Sequence, residues 1–188
     1  NITAAADDTT TGPKVSYTTT AASGVDAGLI SAFGVVQPIW VPYFYARLST
    51  DTASIASNRI AVGLVSAEIA ADAGPASTGA YAVAQGAWFR YDTAVDGTAF
   101  WRTVTASSTT ATVTTTTAAI STNLVYELAI EGNSAGTSWR FWVNGTLVAT
   151  HTANLPSTTV ALGYTARLRT LAASARALRF GRITLSAK

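Results

Sequence analysis

A chain of 188 residues with no Cys and no Met is long enough to bury one core without disulfides, and it has no ligands for thiol, zinc–cysteine or iron–sulfur chemistry. Only 12% of its residues are charged, for a net charge of +2, against the ~25% usual in a soluble domain. Thr and Ser must therefore wet the surface, or part of it must be hidden against other copies or neighbouring proteins. No apolar run approaches the ~18 residues of a membrane helix, so membrane insertion is not expected.

Taken in chain order, Asn1–Pro13 (NITAAADDTTTGP) has little that can enter a core. It reads as an arm, flexible or ordered only against a partner, which leaves 14–188 as a single β-sandwich domain. Ser16–Thr20 is a first strand. Pro38–Leu48 (PIWVPYFYARL) is rich in aromatics, and its prolines predict a sheet edge or a bulge. Arg59–Ala67 predicts a buried strand, Ala70–Gly79 a loop, and Tyr81–Tyr91 a strand carrying Trp88 and Phe89. Asp92–Gly97 turns the chain, and Phe100–Thr105 with Thr109–Thr117 forms a β-branched hairpin.

Tyr126–Glu131 (YELAIE) alternates cleanly: Tyr126, Leu128 and Ile130 on one face, Glu127, Ala129 and Glu131 on the other. Such a period of two marks a strand with one buried face. Next, Trp139–Val143 and Thr146–Thr152 flank Asn144-Gly145, which favours a type I′ turn because both central residues accept positive φ. A two-residue loop then sets Val143 opposite Thr146, Trp142 opposite Leu147 and Phe141 opposite Val148. Both sides of this hairpin are bulky, which predicts a central place covered on both faces. Strands are expected again over Thr158–Arg169 and Ala177–Leu185. In the latter Leu178 and Phe180 have one parity and Ile183 and Leu185 the other, so a bulge at Gly181-Arg182 is needed. About ten short strands without helices make an all-β, two-sheet antiparallel sandwich or barrel.

The runs Trp88–Asp92 (WFRYD), Phe100–Val104 (FWRTV) and Tyr126–Ile130 (YELAI), followed by Phe141–Gly145 (FWVNG) and Val148–Pro156 (VATHTANLP), resemble the middle and closing strands of concanavalin A-like jelly rolls. The resemblance spans Tyr81–Leu185 and is to the lectin/glucanase type found in tailed-bacteriophage virion proteins. It implies two stacked sheets, often displayed on fibres, tails or capsids, and sugar binding in some members. Members that cleave polysaccharides carry a Glu-x-Asp-x-(x)-Glu strand. Glu127 and Glu131 match its two ends, but Ala129 stands where the helper Asp would be, so a solvent-facing strand is the plainer reading and no catalysis is expected.

His151 is the single histidine. With no Gly-x-Ser-x-Gly elbow to serve, it reads as a surface or strand-end residue. Asp92 and Asp96 bracket a turn and are weak calcium candidates, the alternative being carboxylates that cap the turn itself. No other metal and no cofactor is expected. Among five Trp residues, Trp101 and Trp142 are the candidates for an exposed sugar-stacking platform. The basic residues gather late, at Arg167, Arg169, Arg176, Arg179, Arg182 and Lys188, with no acid among them. These arginines are candidates for a subunit or particle contact, or for acidic sugars. Without interleaved base-stacking aromatics they do not predict nucleic-acid binding.

Three functions follow as expectations. The first is a noncatalytic structural protein of a phage-like virion (capsid decoration or tail fibre), exposed on the particle surface, homo-oligomeric, in contact with neighbouring virion proteins and able to grip host glycans. The second is a secreted or displayed lectin module that binds cell-surface glycans. The third, a glycoside hydrolase, is disfavoured by Ala129.

Overall fold

Runs of Val, Ile, Thr and aromatic residues become strands throughout the described residues. The computed structural model describes residues 2–8, 12–31, 34–67, 85–97, 99–108 and 110–188, with side chains from Val15 onward. Within them run β1 (Ile2–Asp8), β2 (Gly12–Thr18), β3 (Asp26–Ile30), β4 (Pro42–Ser49), β5 (Asn58–Val65), β6 (Gln85–Asp92), β7 (Phe100–Ser107), β8 (Ala111–Ala119), β9 (Val125–Gly132), β10 (Trp139–Val143), β11 (Thr146–His151), β12 (Gly163–Thr170) and β13 (Ala177–Ala187). A single 3-10 turn covers Pro38–Trp40. The strands form a seven-stranded sheet, β1-β2-β13-β4-β9-β10-β11, and a six-stranded sheet, β3-β12-β5-β6-β7-β8. All pairings are antiparallel.

The core lies between the sheets. The seven-stranded sheet contributes Phe44, Ala46 and Leu48 of β4, Tyr126, Leu128 and Ile130 of β9, and Phe141 of β10. From the other sheet come Ile60, Val62 and Leu64 of β5, Phe89 and Tyr91 of β6, and Trp101 of β7. Phe89 and Phe141 meet edge-on across the interface, 5.4 Å between centroids. A second buried cluster, Ala61, Val65, Trp88, Val104 and Ala106, occupies the other face of the six-stranded sheet. This explains why β5 and β6 are almost continuously apolar: both of their faces are buried.

The bulge expected in the last strand is present. β13 pairs with β4 through Phe180↔Leu48 and then Arg182↔Arg47, leaving Gly181 over. The type I′ turn is present too, with φ of 50° at Asn144 and 77° at Gly145.

Several expectations are corrected. β4 is no edge strand: it lies between β13 and β9. Its prolines fit because Pro42 is the first strand residue and Pro38 opens the 3-10 turn, where no ladder donor is lost. The Asn-Gly hairpin is not central either, since β11 is the sheet's last strand. Its register holds for Val143↔Thr146 and Trp142↔Leu147, but Phe141 then pairs with Ala149. Val148 is a bulge residue, and everything beyond it changes face. The segment read as an arm contains β1, which pairs with β2 from Ile2↔Tyr17 to Asp8↔Gly12. β3 (DAGLI), a five-residue segment with a central Gly where no strand was expected, is paired with β12. The loop expected at Ala70–Gly79 lies outside the described residues, as do Tyr81–Ala84 at the start of the strand expected there.

Candidate functional site

Alternation on β4, β9 and β10 sends half of each strand into the core and the other half onto the outer face of the seven-stranded sheet. Three rows of side chains cross that face. In the middle row Tyr45 lies opposite Ala129, and Ala129 opposite Trp142. On one side of it Tyr43, Glu131 and Arg140 are aligned. On the other Arg182, Arg47 and Glu127 are aligned, with Asn144 Oδ1 accepting the Glu127 backbone N–H at 2.9 Å.

Ala129 is the smallest side chain in this array and its methyl is the floor of a cleft. The cleft is about 300 Å³ in volume and is lined by Tyr43, Tyr45, Glu127, Glu131, Trp142 and Gly145 around that floor. Tyr45 and Trp142 stand on the strands either side of Ala129, two inter-strand spacings or roughly 9.6 Å apart. That gap accepts a flat, partly apolar ring such as a pyranose between two aromatic walls, with carboxylates at both ends to take hydroxyl protons.

The charges around the cleft are organised. Glu127 is 3.9 Å from Arg47 Nε and close enough to the Tyr45 hydroxyl to act on its ionisation. Burial pushes the Tyr45 phenol above its usual pKa, with Glu127 adding to the rise and Arg47 and Arg182 opposing it. Glu131 pairs with Arg140 at 3.4 Å and with Lys188 at 3.2 Å. Arg182 lies over the Tyr45 ring at 6.0 Å from the β13 side, and Arg140 over Trp142 at 5.7 Å. The two glutamates are thus drawn toward opposite ends of the cleft.

Of the two tryptophans expected at a platform, Trp142 lines this cleft. Trp101 does not reach the surface: it is 0% exposed, packed edge-on against Phe89, Tyr91 and Tyr126. It takes the inward parity of β7, and that parity cannot be told from sequence because each face of the strand mixes apolar and polar residues, Trp101 with Thr103 and Thr105 on one and Phe100 with Arg102 and Val104 on the other. Tyr43, Tyr45 and Arg47 were missed as site residues. Their signal was the alternation of PYFYARL, which puts Phe44, Ala46 and Leu48 on the other face.

His151 is not a surface residue. It is 2% exposed, because the Val148 bulge turns it inward beside Trp139. The Asp92 and Asp96 carboxylates are already engaged by arginines. Asp92 pairs with Arg59 and caps the Ala94 N–H, while Asp96 takes Arg90 from the side and Arg102 through its carbonyl. Among the described residues no group of three or more His, Cys, Asp or Glu side chains gathers as a metal site would need. The late arginines do not form one patch. Arg167 and Arg169 pair with Asp26 at the β3 edge of the six-stranded sheet, and Arg176 bonds the Ala175 carbonyl. Arg179 and Arg182 face outward on the seven-stranded sheet, by their pairing with Ser49 and Arg47. Among the described residues no helix is long and apolar enough to cross a membrane.

No family model matches the sequence, and no curated protein matches it. Solved structures do match in shape. The carbohydrate-binding module CBM66 from Bacillus subtilis is 14% identical over 100% of this chain and 92% of its own, with a TM-score of 0.53. A legume lectin-like domain from Entamoeba histolytica is 11% identical over 93% of this chain and 84% of its own, at TM-score 0.59. The β-glucanase of Bacillus licheniformis is 10% identical over 93% and 79%, at TM-score 0.58. At such identities the likeness is one of fold: the chain has the two-sheet jelly roll of concanavalin A-like lectins and glucanases, a fold that binding proteins and enzymes share.

Proposed function

We propose that this chain is a noncatalytic carbohydrate-binding module that holds a glycan in the cleft on the outer face of its seven-stranded sheet. The observation that carries the reading is the middle row: a methyl floor, Ala129, between the aromatic walls Tyr45 and Trp142. Two of the proteins that share the fold are described as a carbohydrate-binding module and a lectin-like domain, which supports the same reading.

The noncatalytic part rests on β9. A retaining pair needs carboxyl groups about 5–5.5 Å apart, which Glu127 and Glu131, four residues apart on one face of β9, would meet only if their side chains converged. Each is held toward its own end by ion pairs, to Arg47 on one side and to Arg140 and Lys188 on the other. Ala129 supplies no acid between them.

Glycan-array screening followed by calorimetry tests the proposal. Binding to a defined glycan should fall at least about tenfold, or ~1.4 kcal/mol, in Trp142→Ala. Array silence across neutral and charged glycans would overturn it. Release of reducing ends from a β-glucan, abolished in Glu127→Gln, would replace it with the hydrolase.

A second reading concerns setting: surface display on a phage-type virion, as a homo-oligomer or against neighbouring virion proteins. It is favoured by the adjacent Ile39 and Trp40, 50% and 46% exposed, on a chain so poor in charge. Immunogold labelling of virus particles from the source material tests it, and unlabelled particles would remove it.

A further inference from the structure

Among the residues whose side chains are described, the outer face of the seven-stranded sheet carries Arg47, Arg140, Arg179, Arg182 and Lys188 with Glu127 and Glu131, an excess of positive charge on a chain whose net charge is just +2. The excess is concentrated beside the cleft. Arg182 and Arg47 are directly opposite each other on β13 and β4, and like charges in that relation repel. The Gly181 bulge creates the pair: without the extra residue Arg182 would have the inward parity of Phe180. Arg179, one position before the inward Phe180, stands next to them across from Ser49.

Among the described residues these three arginines are only partly answered. Glu127 is 3.9 Å from Arg47 Nε, beyond hydrogen-bond length, and that Nε is buried with no hydrogen-bond partner. Arg182 donates its Nε to Thr184 Oγ1 at 3.1 Å, and Arg179 reaches only the Thr50 carbonyl at 3.5 Å. Paired guanidinium forks with unspent donors match the planar oxygens of a carboxylate or sulfate. Both Arg47 and Arg182 act electrostatically on the Tyr45 phenol in the cleft wall, so an anion held here is beside a ring held there.

We infer that the ligand is an anionic polysaccharide, its carboxylate or sulfate seated on Arg47 and Arg182 with Arg179 alongside, while the sugar ring lies between Tyr45 and Trp142. This inference rests on the glycan-binding reading and narrows it to charged chains.

Calorimetry with pairs of probes alike except in charge tests it: polygalacturonate against its methyl ester, and dextran sulfate against dextran. At least one charged member should bind about tenfold or more tighter than its neutral twin. The preference should shrink as sodium chloride rises from about 0.05 to about 0.5 M. In Arg182→Gln and Arg47→Gln, checked for folding by thermal melts, the charged probe should weaken to the level of the neutral one. Preference for polygalacturonate identifies carboxylate as the anion, and preference for dextran sulfate identifies sulfate. Equal binding of charged and neutral twins, unchanged in Arg182→Gln but lost in Trp142→Ala, overturns the inference and leaves the glycan-binding reading standing. Binding to none of these probes, together with a silent array, overturns both.

Discussion

His151 reaches from one sheet to Thr103 of the other, with 2.9 Å between Nε2 and the Thr103 hydroxyl. Its Nδ1 is 2.9 Å from the Thr105 hydroxyl, and that hydroxyl donates to the Ala153 carbonyl at 3.1 Å. A hydroxyl has one proton to give, so Thr105 accepts from Nδ1–H while Thr103 donates to Nε2. Both ring nitrogens are thereby satisfied in the neutral tautomer protonated on Nδ1, and Phe141 packs on the ring at 5.0 Å.

Burial pushes the His151 pKa down to about 4. Between its ordinary value of about 6.5 and that lowered one, the unfolded chain binds a proton that the folded chain refuses. Stability from this group is therefore complete above about pH 6.5, falls as pH drops, and is spent near pH 4, a total of about 3 kcal/mol. Urea midpoints measured between these pH values should show the decline in the wild type and a flatter profile in His151→Gln. A parallel decline in both proteins would assign the acid sensitivity to other groups.

The two tryptophans once equally suited to a sugar platform should separate cleanly. Trp101→Ala empties a core site and should cost about 3–5 kcal/mol of stability. Trp142→Ala, on the outer face, should change stability by less than about 1 kcal/mol and act on ligand affinity instead. Denaturant melts with matched binding titrations read both effects, and a large stability loss in Trp142→Ala would place that residue in the core's service.

Ala129 has the role of a floor. Ala129→Phe puts a ring where the ligand ring should lie but points away from the core, so the fold should survive while glycan affinity drops at least about tenfold. Undiminished binding in a folded Ala129→Phe protein would move the site elsewhere.

The Asn144-Gly145 turn should be a separate stability lever. Gly145 has a φ of 77°, so Gly145→Ala strains the turn even though a methyl there meets open space. A loss of about 1 kcal/mol in the denaturant midpoint is expected. An unchanged midpoint would show that the hairpin tolerates another turn type.

Arg182→Thr removes one member of a like-charged cross-strand pair and substitutes a β-branched residue on a strand. It should raise stability at low salt by about 0.2–1 kcal/mol, and the gain should fade as salt is added. Lower stability at low salt would show that Arg182 makes a net favourable contact, with Thr184 and Tyr45 the partners in reach.

Sequence alone determined whatever is set by neighbours along the chain. The alternation of YELAIE, the Asn-Gly pair and the parity change across Gly181 are local, and each reappears as a strand face, a type I′ turn and a bulge. The same alternation placed Glu127, Ala129 and Glu131 on one exposed face, half of the candidate site. Tertiary structure decided the other half. That Tyr45 and Trp142 flank Ala129 depends on which strands lie beside β9, a choice made by long-range pairing between residues some eighty positions apart on one side. His151 and Trp101 were misjudged for a related reason. A bulge at Val148, with no Gly to announce it, flips the parity of everything after it. A strand such as β7, with apolar and polar residues mixed on each face, gives no clue to which face meets the other sheet, so only the packing of the two sheets settles that Trp101 is buried while Trp142 lines the outer cleft.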